Sequence, residues 1–373
     1  MVLADFVEEK QKADFSNPIF HELAVLNGEI NRLDSEQLED ALKAFSLSCS
    51  GCFGVKQKRL KSYVRDKKQE IAGLNKRSPG RLRPLDYLIF IDFEATCMEE
   101  NPPGFVHEII EFPIILFDCA ERKTVDVFHQ FVRPKLNPVL DEFCMKLTGI
   151  TQEQVEQADS FVTVFEKAHE WMSNQGLFEP GVHFAVVTDG PWDIARFLVQ
   201  QCMLDQICVP FWASRWINIR KTFTNYYKLK YYPKLPDIAA MLEALGLKFE
   251  GRQHCGLDDA KNCATIVETL LRDYCQPEFN EFLEKYGYSW LLEPKQKDTT
   301  PKPTSKCSKW RTPQKQMQSA INLVNLNQRS STDGHTSNDR VQSLSDKLLA
   351  CSIQENDESL KRYNYSEATH GQC

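Results

Sequence analysis

The segment Tyr87–Phe93 constrains the fold more than any other, because its residues are almost continuously apolar. Such a run is typical of a central β-strand that is buried on both faces. Further strands are predicted at Ile109–Asp118, Val125–Val132 and Val182–Val187. The helices predicted between and after them cover Ser160–Asn174, Ile194–Cys202, Leu235–Leu245 and Leu257–Tyr274. This order predicts an α/β domain with a mixed sheet that carries helices on its faces.

The chain has 373 residues, which is too long for one compact domain, and its composition changes along its length. The predicted zones are an N-terminal segment at 1–29, a small two-helix domain at 30–70, a basic linker at 71–84, the α/β domain at 85–293 and a polar, disordered tail at 294–373. The helices of the small domain are predicted at Glu36–Phe45 and about Lys56–Lys68.

The N-terminus and the cysteines narrow the class of protein. The acidic start lacks the features of a secretory signal, and no apolar run approaches the roughly 20 residues that cross a bilayer. No membrane partner is therefore predicted. The 13 cysteines are scattered, so we predict reduced thiols rather than disulfides. Cys49 and Cys52 form the one close pair, and without a second ligand pair its role stays open.

Two acidic residues, Asp92 and Glu94, stand at the end of the apolar strand. Positions two apart in a strand point to the same face, so these carboxylates are predicted to project together. Buried carboxylates without a partner are costly, and a divalent cation offsets that cost. The alternative is a pair of solvated residues just beyond the strand, since Asp-x-Glu alone is a common pattern.

Two further segments carry acids at the start of a helix. Asp193 follows the strand at Val182–Val187, and Asp259 opens the last helix five residues after His254. Taken singly, each aspartate is also explained as a helix cap or as a charge that compensates the helix dipole. His254 alone is also explained as a surface histidine. Trp192 is either a core residue or a stacking partner for a nucleotide base.

Together, the three segments form a set that suits phosphodiester hydrolysis. In such chemistry one metal ion activates a water and a second stabilises the leaving 3′ oxygen. An imidazole, which ordinarily titrates near neutral pH, takes the proton of the water. The set therefore predicts a metal-dependent nuclease.

These residues resemble the DEDDh exonucleases, and more closely the enhancer-of-RNAi type, a group that includes histone-mRNA 3′ exonucleases. The similarity covers residues 30–293. It rests on the segments Ile91–Cys97, Phe131–Pro134, Phe143–Thr151, Trp216–Lys221 and Gly251–Asn262, of which the last is highly specific.

The resemblance implies an RNase H-like fold and a set of site residues. Carried over position by position, it implies that two Mg²⁺ ions, for which Mn²⁺ substitutes, are bound by Asp92, Glu94, Asp193 and Asp259. It implies that Glu94 and His254 are catalytic, with His254 as general base. The implied contacts to the terminal nucleotide are Glu94, Ala95, Leu147, Thr148, Trp192 and His254. Asp189 and Asp258 are nearby rivals for the third and fourth ligand positions, and the family spacing favours Asp193 and Asp259.

The two-helix segment resembles a SAP domain, a small nucleic-acid-binding module. Between Lys56 and Lys68 it carries Lys or Arg at many positions and a single acid, in a chain whose formal net charge is −7. A charge run is usually a solvated helix face, but the basic linker continues this one and favours phosphate binding. The predicted RNA contacts are Lys56, Lys58, Arg59, Lys61 and Arg65, with Arg59 as the most important of them.

The resemblance implies Mg²⁺-dependent 3′→5′ trimming of RNA, with release of 5′-mononucleotides, at short overhangs beside stem-loops or duplexes. Implied substrates are histone mRNA stem-loops, small interfering RNAs and the 3′ end of 5.8S ribosomal RNA. Implied partners are a stem-loop-binding protein, ribosomes and small-RNA machinery, in the cytoplasm and in the nucleus or nucleolus. Two alternatives stay open. One is a DNA 3′–5′ exonuclease, because carboxylates do not distinguish sugar types. The other is a catalytically inactive RNA-binding scaffold, against which the complete set of catalytic residue types argues.

Overall fold

The computed structural model describes residues 17–74, 85–230 and 234–288. Contacts divide the chain into two compact units, which are described separately. Of the described residues, the smaller unit holds 17–49 and 55–74, and the larger unit holds the others. Most of the predicted linker, at 75–84, and the whole predicted tail, at 294–373, lie outside the described residues. No helix within the described ranges is long and apolar enough to cross a membrane.

The smaller unit is helical in its described part. Its helices are α1 (Pro18–Ile30), α2 (Ser35–Ala44) and, from residue 55 onwards, α3 (Phe53–Ile71). Helix α2 begins at a capping box, in which Asp34 and Gln37 each accept a hydrogen bond from the backbone N–H of the other. Helix α1 begins ahead of the predicted domain start at residue 30, and its buried side chains share one apolar cluster with α2 and α3. Burial of that shared face explains why the three helices form one unit.

The structure places Arg59, the predicted main RNA contact, in the interior of the smaller unit, so its contact with RNA stays a prediction. Only 3% of this residue is exposed, and its guanidinium donates a hydrogen bond of 2.7 Å to the backbone carbonyl of Ser48. A buried guanidinium that donates to the backbone of a neighbouring turn stabilises that turn. The other predicted contacts, Lys56, Lys58, Lys61 and Arg65, are half-buried.

We therefore expect Arg59→Ala to destabilise the smaller unit by about 2–3 kcal/mol, because it removes a buried charge-assisted hydrogen bond. Hydrogen-exchange mass spectrometry on the full chain would show faster exchange across α2 and α3. Arg65→Ala, from the same helix, is the control and should change stability by less than about 0.5 kcal/mol. Weaker RNA binding of Arg59→Ala with unchanged exchange rates would support the RNA contact that the sequence predicts for Arg59.

The larger unit is built on an eight-stranded sheet. Its strands are β1 (Tyr87–Ile91), β2 (Glu94–Ala95), β3 (Ile109–Asp118), β4 (Lys123–Arg133), β5 (Asp159–Ser160), β6 (Phe184–Thr188), β7 (Arg215–Asn218) and β8 (Glu281–Phe282). They follow the order β5-β4-β3-β1-β6-β7-β8, with β2 paired to β3. Strand β1 is antiparallel to β3 and parallel to β6, and β6 is parallel to β7. The predicted mixed sheet is therefore confirmed.

Helices cover both faces of this sheet. They are α4 (Glu142–Thr148), α5 (Gln152–Gln157), α6 (Phe161–Asn174), α7 (Val199–Asp205), α8 (Ile219–Tyr227), α9 (Ile238–Leu245) and α10 (Gly256–Arg272). In β1, Ile89 and Ile91 belong to the apolar cluster formed with α6 and α7. The alternate residues Leu88 and Phe90 are equally buried and point to the opposite face, where α10 packs against β1 and β3. The continuous apolar run reflects this burial on both sides.

Candidate active site

Two of the predicted carboxylates meet because two parallel strands end at the same edge of the sheet. Asp92 directly follows β1, and Asp193 begins a π-helical segment, Asp193–Leu198, after β6. The Asp193 carboxylate accepts a hydrogen bond of 2.9 Å from the backbone N–H of Phe93, and its field helps to raise the pKa of the Asp92 carboxyl. Residues 101 positions apart along the chain are thus joined at the carboxyl ends of β1 and β6, where open α/β sheets place their ligand sites.

The other site residues come from β2 and from the start of α10. One potential ligand atom from each of Glu94, His254 and Asp259 lies within 4.8 Å of the other two. Glu94 is half-buried, Asp259 is buried and His254 is exposed. Each of these three positions and the pair Asp92 and Asp193 was predicted from the sequence, and the structure brings all five residues to one end of the sheet.

Burial raises the pKa of all four carboxyl groups, and the fields of neighbouring carboxylates add to the effect. The pKa of Asp193 and that of Asp259 rise to about 7, and those of Asp92 and Glu94 rise well above the ordinary range. Four acids in such a place carry their charges at a cost that a cation would offset. An all-oxygen donor set of this kind fits hard divalent cations.

The two rival aspartates have other partners. Both oxygens of Asp189 are held by Arg220, at 2.7 Å from Nε and 2.5 Å from the terminal nitrogen. Asp258 accepts a hydrogen bond of 3.0 Å from the backbone N–H of Arg252 and pairs with Lys261 at 3.4 Å. Because each of these acids already pairs with a basic side chain, the geometry favours Asp193 and Asp259 as the residues left for a metal.

His254 lies in a strained turn, which places it close to Glu94 and Asp259. Its backbone has φ 61°, a left-handed conformation that residues with a Cβ adopt at a cost. The Asp259 carboxylate accepts a hydrogen bond of 2.8 Å from the backbone N–H of His254 and so stabilises the turn. Gly256 then lets α10 approach β1, because a Cβ at this position would lie 2.3 Å from the backbone oxygen of Asp92.

A groove of about 900 Å³ adjoins the site, and His254 and Leu147 both line it. The same groove is lined by Met98, Phe143, Lys146 and several acidic side chains. Leu147 is half-buried at the end of α4, where an apolar side chain can pack against a base. The guanidinium of Arg252 donates hydrogen bonds to the backbone carbonyls of Lys146 and Leu147, which joins the end of α4 to the loop of His254.

The remaining predicted nucleotide contacts differ in their accessibility. Trp192 is 54% exposed, and the guanidinium of Arg196 lies 4.7 Å from the centre of its ring. Ala95 is buried. Thr148 is 3% exposed, and its hydroxyl donates to the carbonyl of Cys144 within α4. The Thr148 hydroxyl is thus engaged within its own helix, and the predicted contact of Thr148 with the nucleotide stays a prediction.

The chain matches known nucleases in three comparisons. Residues 89–267 match the family model RNase_T, described as Exonuclease. The human protein 3′-5′ exoribonuclease 1 is 45% identical over 271 residues, which cover 72% of this chain and 75% of that protein. The 3′-5′ exonuclease eri1 of Schizosaccharomyces pombe is 32% identical, over 67% of this chain and 91% of that protein.

Solved structures agree with these relatives. The nuclease domain of 3′hExo, a DEDDh family member bound to rAMP, has a TM-score of 0.51 and 46% identity, over 53% of this chain and 98% of that one. A 3′-exonuclease that recognises the histone mRNA stem-loop has a TM-score of 0.51 and 44% identity, over 54% of this chain and 88% of that one. The predicted RNase H-like fold of the larger unit is confirmed by these matches.

Proposed function

Because this chain belongs to the exonuclease family of the 3′-5′ exoribonucleases, we propose that it trims RNA from the 3′ end and releases 5′-mononucleotides. The observation that supports this most directly is the convergence of Asp92, Glu94, Asp193, Asp259 and His254 at the end of the sheet. That convergence, in a fold shared with 3′-exonucleases, is what hydrolysis of a terminal phosphodiester requires.

The proposed cofactor is Mg²⁺, two ions per site, with Mn²⁺ as a substitute. Asp92, Glu94, Asp193 and Asp259 would hold them, since Mg²⁺ binds through a few carboxylates together with substrate phosphate oxygens. Such ions, when bound, lower the pKa of water and stabilise the charge that develops on the phosphate and the leaving oxygen.

Side chains of the protein accept the proton and bind the terminal nucleotide. His254 accepts the proton of the attacking water, because it is the exposed member of the cluster and lies beside Glu94 and Asp259. Leu147 packs against the terminal base from the groove, and Trp192 offers an exposed ring for stacking. Glu94 and the backbone of Ala95 lie against the terminal nucleotide.

The proposed substrate is RNA with a short 3′ overhang beside a stem-loop or duplex. The smaller unit would act as the SAP-like domain and grip the stem through Lys56, Lys58, Lys61 and Arg65, since duplex RNA is read mainly by its phosphates and shape. Histone mRNA stem-loops, small interfering RNAs and the 3′ end of 5.8S ribosomal RNA are the proposed targets. A stem-loop-binding protein, ribosomes and small-RNA machinery are proposed partners, in the cytoplasm and in the nucleus or nucleolus.

The experiment that tests this function is the digestion of one stem-loop with a 3′ overhang, prepared as RNA and as DNA, with and without Mg²⁺. We expect stepwise shortening of the RNA and 5′-mononucleotide products only with the ion. A clear preference for the DNA strand would mean that the substrate is DNA and not RNA. The absence of products from both strands would overturn the proposal.

Metal binding should release protons near neutral pH. The raised pKa of Asp193 and Asp259, about 7, means that the folded metal-free protein binds protons that the unfolded chain gives up. The stability that these two groups contribute is therefore fully present below the ordinary aspartate pKa and is lost as pH rises through about 7. We expect the melting temperature without metal to fall by at least about 3 °C between pH 5.5 and 8. Saturating Mg²⁺ should remove this fall, and calorimetry in two buffers of different ionisation enthalpy would count the protons.

A further inference from the structure

Another buried acid, Glu111 of β3, lies beside the carboxylates of the candidate metal site, and its own carboxylate contacts the start of α10. It is 1% exposed and stands opposite Glu94 in the antiparallel pairing of β2 and β3. One of its oxygens accepts a hydrogen bond of 2.9 Å from the backbone N–H of Gly256. The other accepts one of 3.3 Å from Leu257 and lies 2.8 Å from Nε2 of His129 on β4.

These contacts make Glu111 the cap of α10. The residue at the N-cap position, Cys255, makes no side-chain hydrogen bond to the helix, so the first backbone N–H groups need another acceptor. A carboxylate is the favoured partner at the positive end of a helix dipole. Because this carboxylate comes from a central strand rather than from the helix itself, it fastens the helix to the sheet.

The hydrogen bonds from α10 to Glu111 matter for the site because α10 and the loop before it carry two of the site residues. Asp259 lies in the first turn of α10 and His254 lies two residues before that helix, whereas Asp92 and Glu94 follow β1. A shift of the first turn of α10 would therefore move half of the site relative to the other half. The field of Glu111 also adds to the raised pKa of Glu94, which places the two carboxyl groups close together.

We propose that Glu111 is a positioning residue, which holds His254 and Asp259 in register with the carboxylates at the end of β1. The inference rests on the proposed nuclease function. It names no new ligand: among the described residues, the group whose potential ligand atoms lie within 4.8 Å of one another contains Glu94, His254 and Asp259 and does not include Glu111.

The test is a double-mutant cycle between Glu111→Gln and His254→Asn in the full chain. An amide has one acceptor oxygen where the carboxylate has two, so one N–H of α10 loses its partner. We expect kcat to fall about 10- to 100-fold, as for residues that orient metal ligands, with KM nearly unchanged. The Mn²⁺ affinity, measured by electron paramagnetic resonance, should fall about 10-fold or more. In the His254→Asn background the same substitution should cost clearly less, because its effect passes partly through His254.

The control is Glu281→Gln, which alters another buried acid that pairs with Lys221 and Lys285. We expect it to lower stability and to leave kcat and Mn²⁺ affinity unchanged. If Glu111→Gln does not fold, His129→Phe removes one hydrogen bond to Glu111 and should give a smaller loss of the same kind. Equal fold losses in both backgrounds, or unchanged Mn²⁺ affinity, would overturn the inference. Only an inactive wild-type protein would count against the proposed function itself.

Discussion

Asp193→Asn is expected to lower nucleotide release on the order of 10³-fold or more and, at the same time, to raise the melting temperature of the metal-free protein. The loss follows because a bound metal ion contributes several kcal/mol to the transition state, and each 1.36 kcal/mol corresponds to a factor of ten. Affinity for RNA should persist, since the contacts to the stem and to the terminal base do not involve this carboxylate.

The gain in stability has its own cause. The Asp193 carboxyl is buried and has a pKa of about 7, so at pH 8 it contributes charge repulsion to the folded state. The amide oxygen of an asparagine still accepts the hydrogen bond from Phe93, and its NH₂ group can donate to Asp92. The substitution thus removes a charge and keeps the local hydrogen bonds.

Single-turnover cleavage and thermal melting in the absence of metal measure the two effects. Asp258→Asn is the matched control, because Asp258 is a neighbouring acid that is engaged by the backbone of Arg252 and by Lys261. It should retain cleavage within about threefold of the wild type, since the asparagine oxygen can still accept the hydrogen bond from Arg252. Full activity of Asp193→Asn would remove this residue from the metal site.

His254→Asn is expected to lower kcat about 10²- to 10⁴-fold, which is the range that a general base contributes. Asparagine is the suitable replacement because it tolerates the left-handed backbone conformation found at this position better than alanine does. The loop should therefore stay in place while the proton acceptor is lost. Gln253→Ala changes the exposed neighbour and should leave kcat unchanged.

The same variant separates two roles that the geometry allows. His254 lies within 4.8 Å of Glu94 and Asp259, so its imidazole is close enough to serve as a ligand as well as a base. A general base leaves Mn²⁺ affinity within about threefold and allows partial rescue of cleavage by added imidazole. A fall in Mn²⁺ affinity of more than about 10-fold without rescue would make His254 a ligand instead.

Several site residues could be predicted from the sequence, whereas some of the short strands and helices could not. The pair Asp92 and Glu94 could be predicted because it interrupts an apolar strand, and Asp193 because it follows another strand that also ends at the site. Strand β7 and helix α8 did not appear in the predicted order of elements, since Arg215–Asn218 is too short for a periodic pattern. The short helices α4 and α5 were missed for the same reason.

Burial of charged residues was the harder problem. Arg59 stands in a run of lysines and arginines, and only the fold shows that it turns inward to Ser48. Glu111 lies in the predicted strand Ile109–Asp118, where a lone acid between apolar residues was the one available signal. Its partners, His129 and the start of α10, are 18 and 145 residues away along the chain. Such long-range pairs have no periodic signature within one sequence.

The close approach of Gly256 to Asp92 has a consequence for how the site responds to its ions. The helix and the strand lie so close there that a Cβ at position 256 would not fit against the backbone oxygen of Asp92. Repulsion between those carboxyl groups that stay charged would tend to spread the site when the ions leave, and the hydrogen bonds from α10 to Glu111 resist that spreading. Loading and unloading of metal should therefore proceed without a rearrangement of the scaffold. Each catalytic cycle then begins with the site residues already in position.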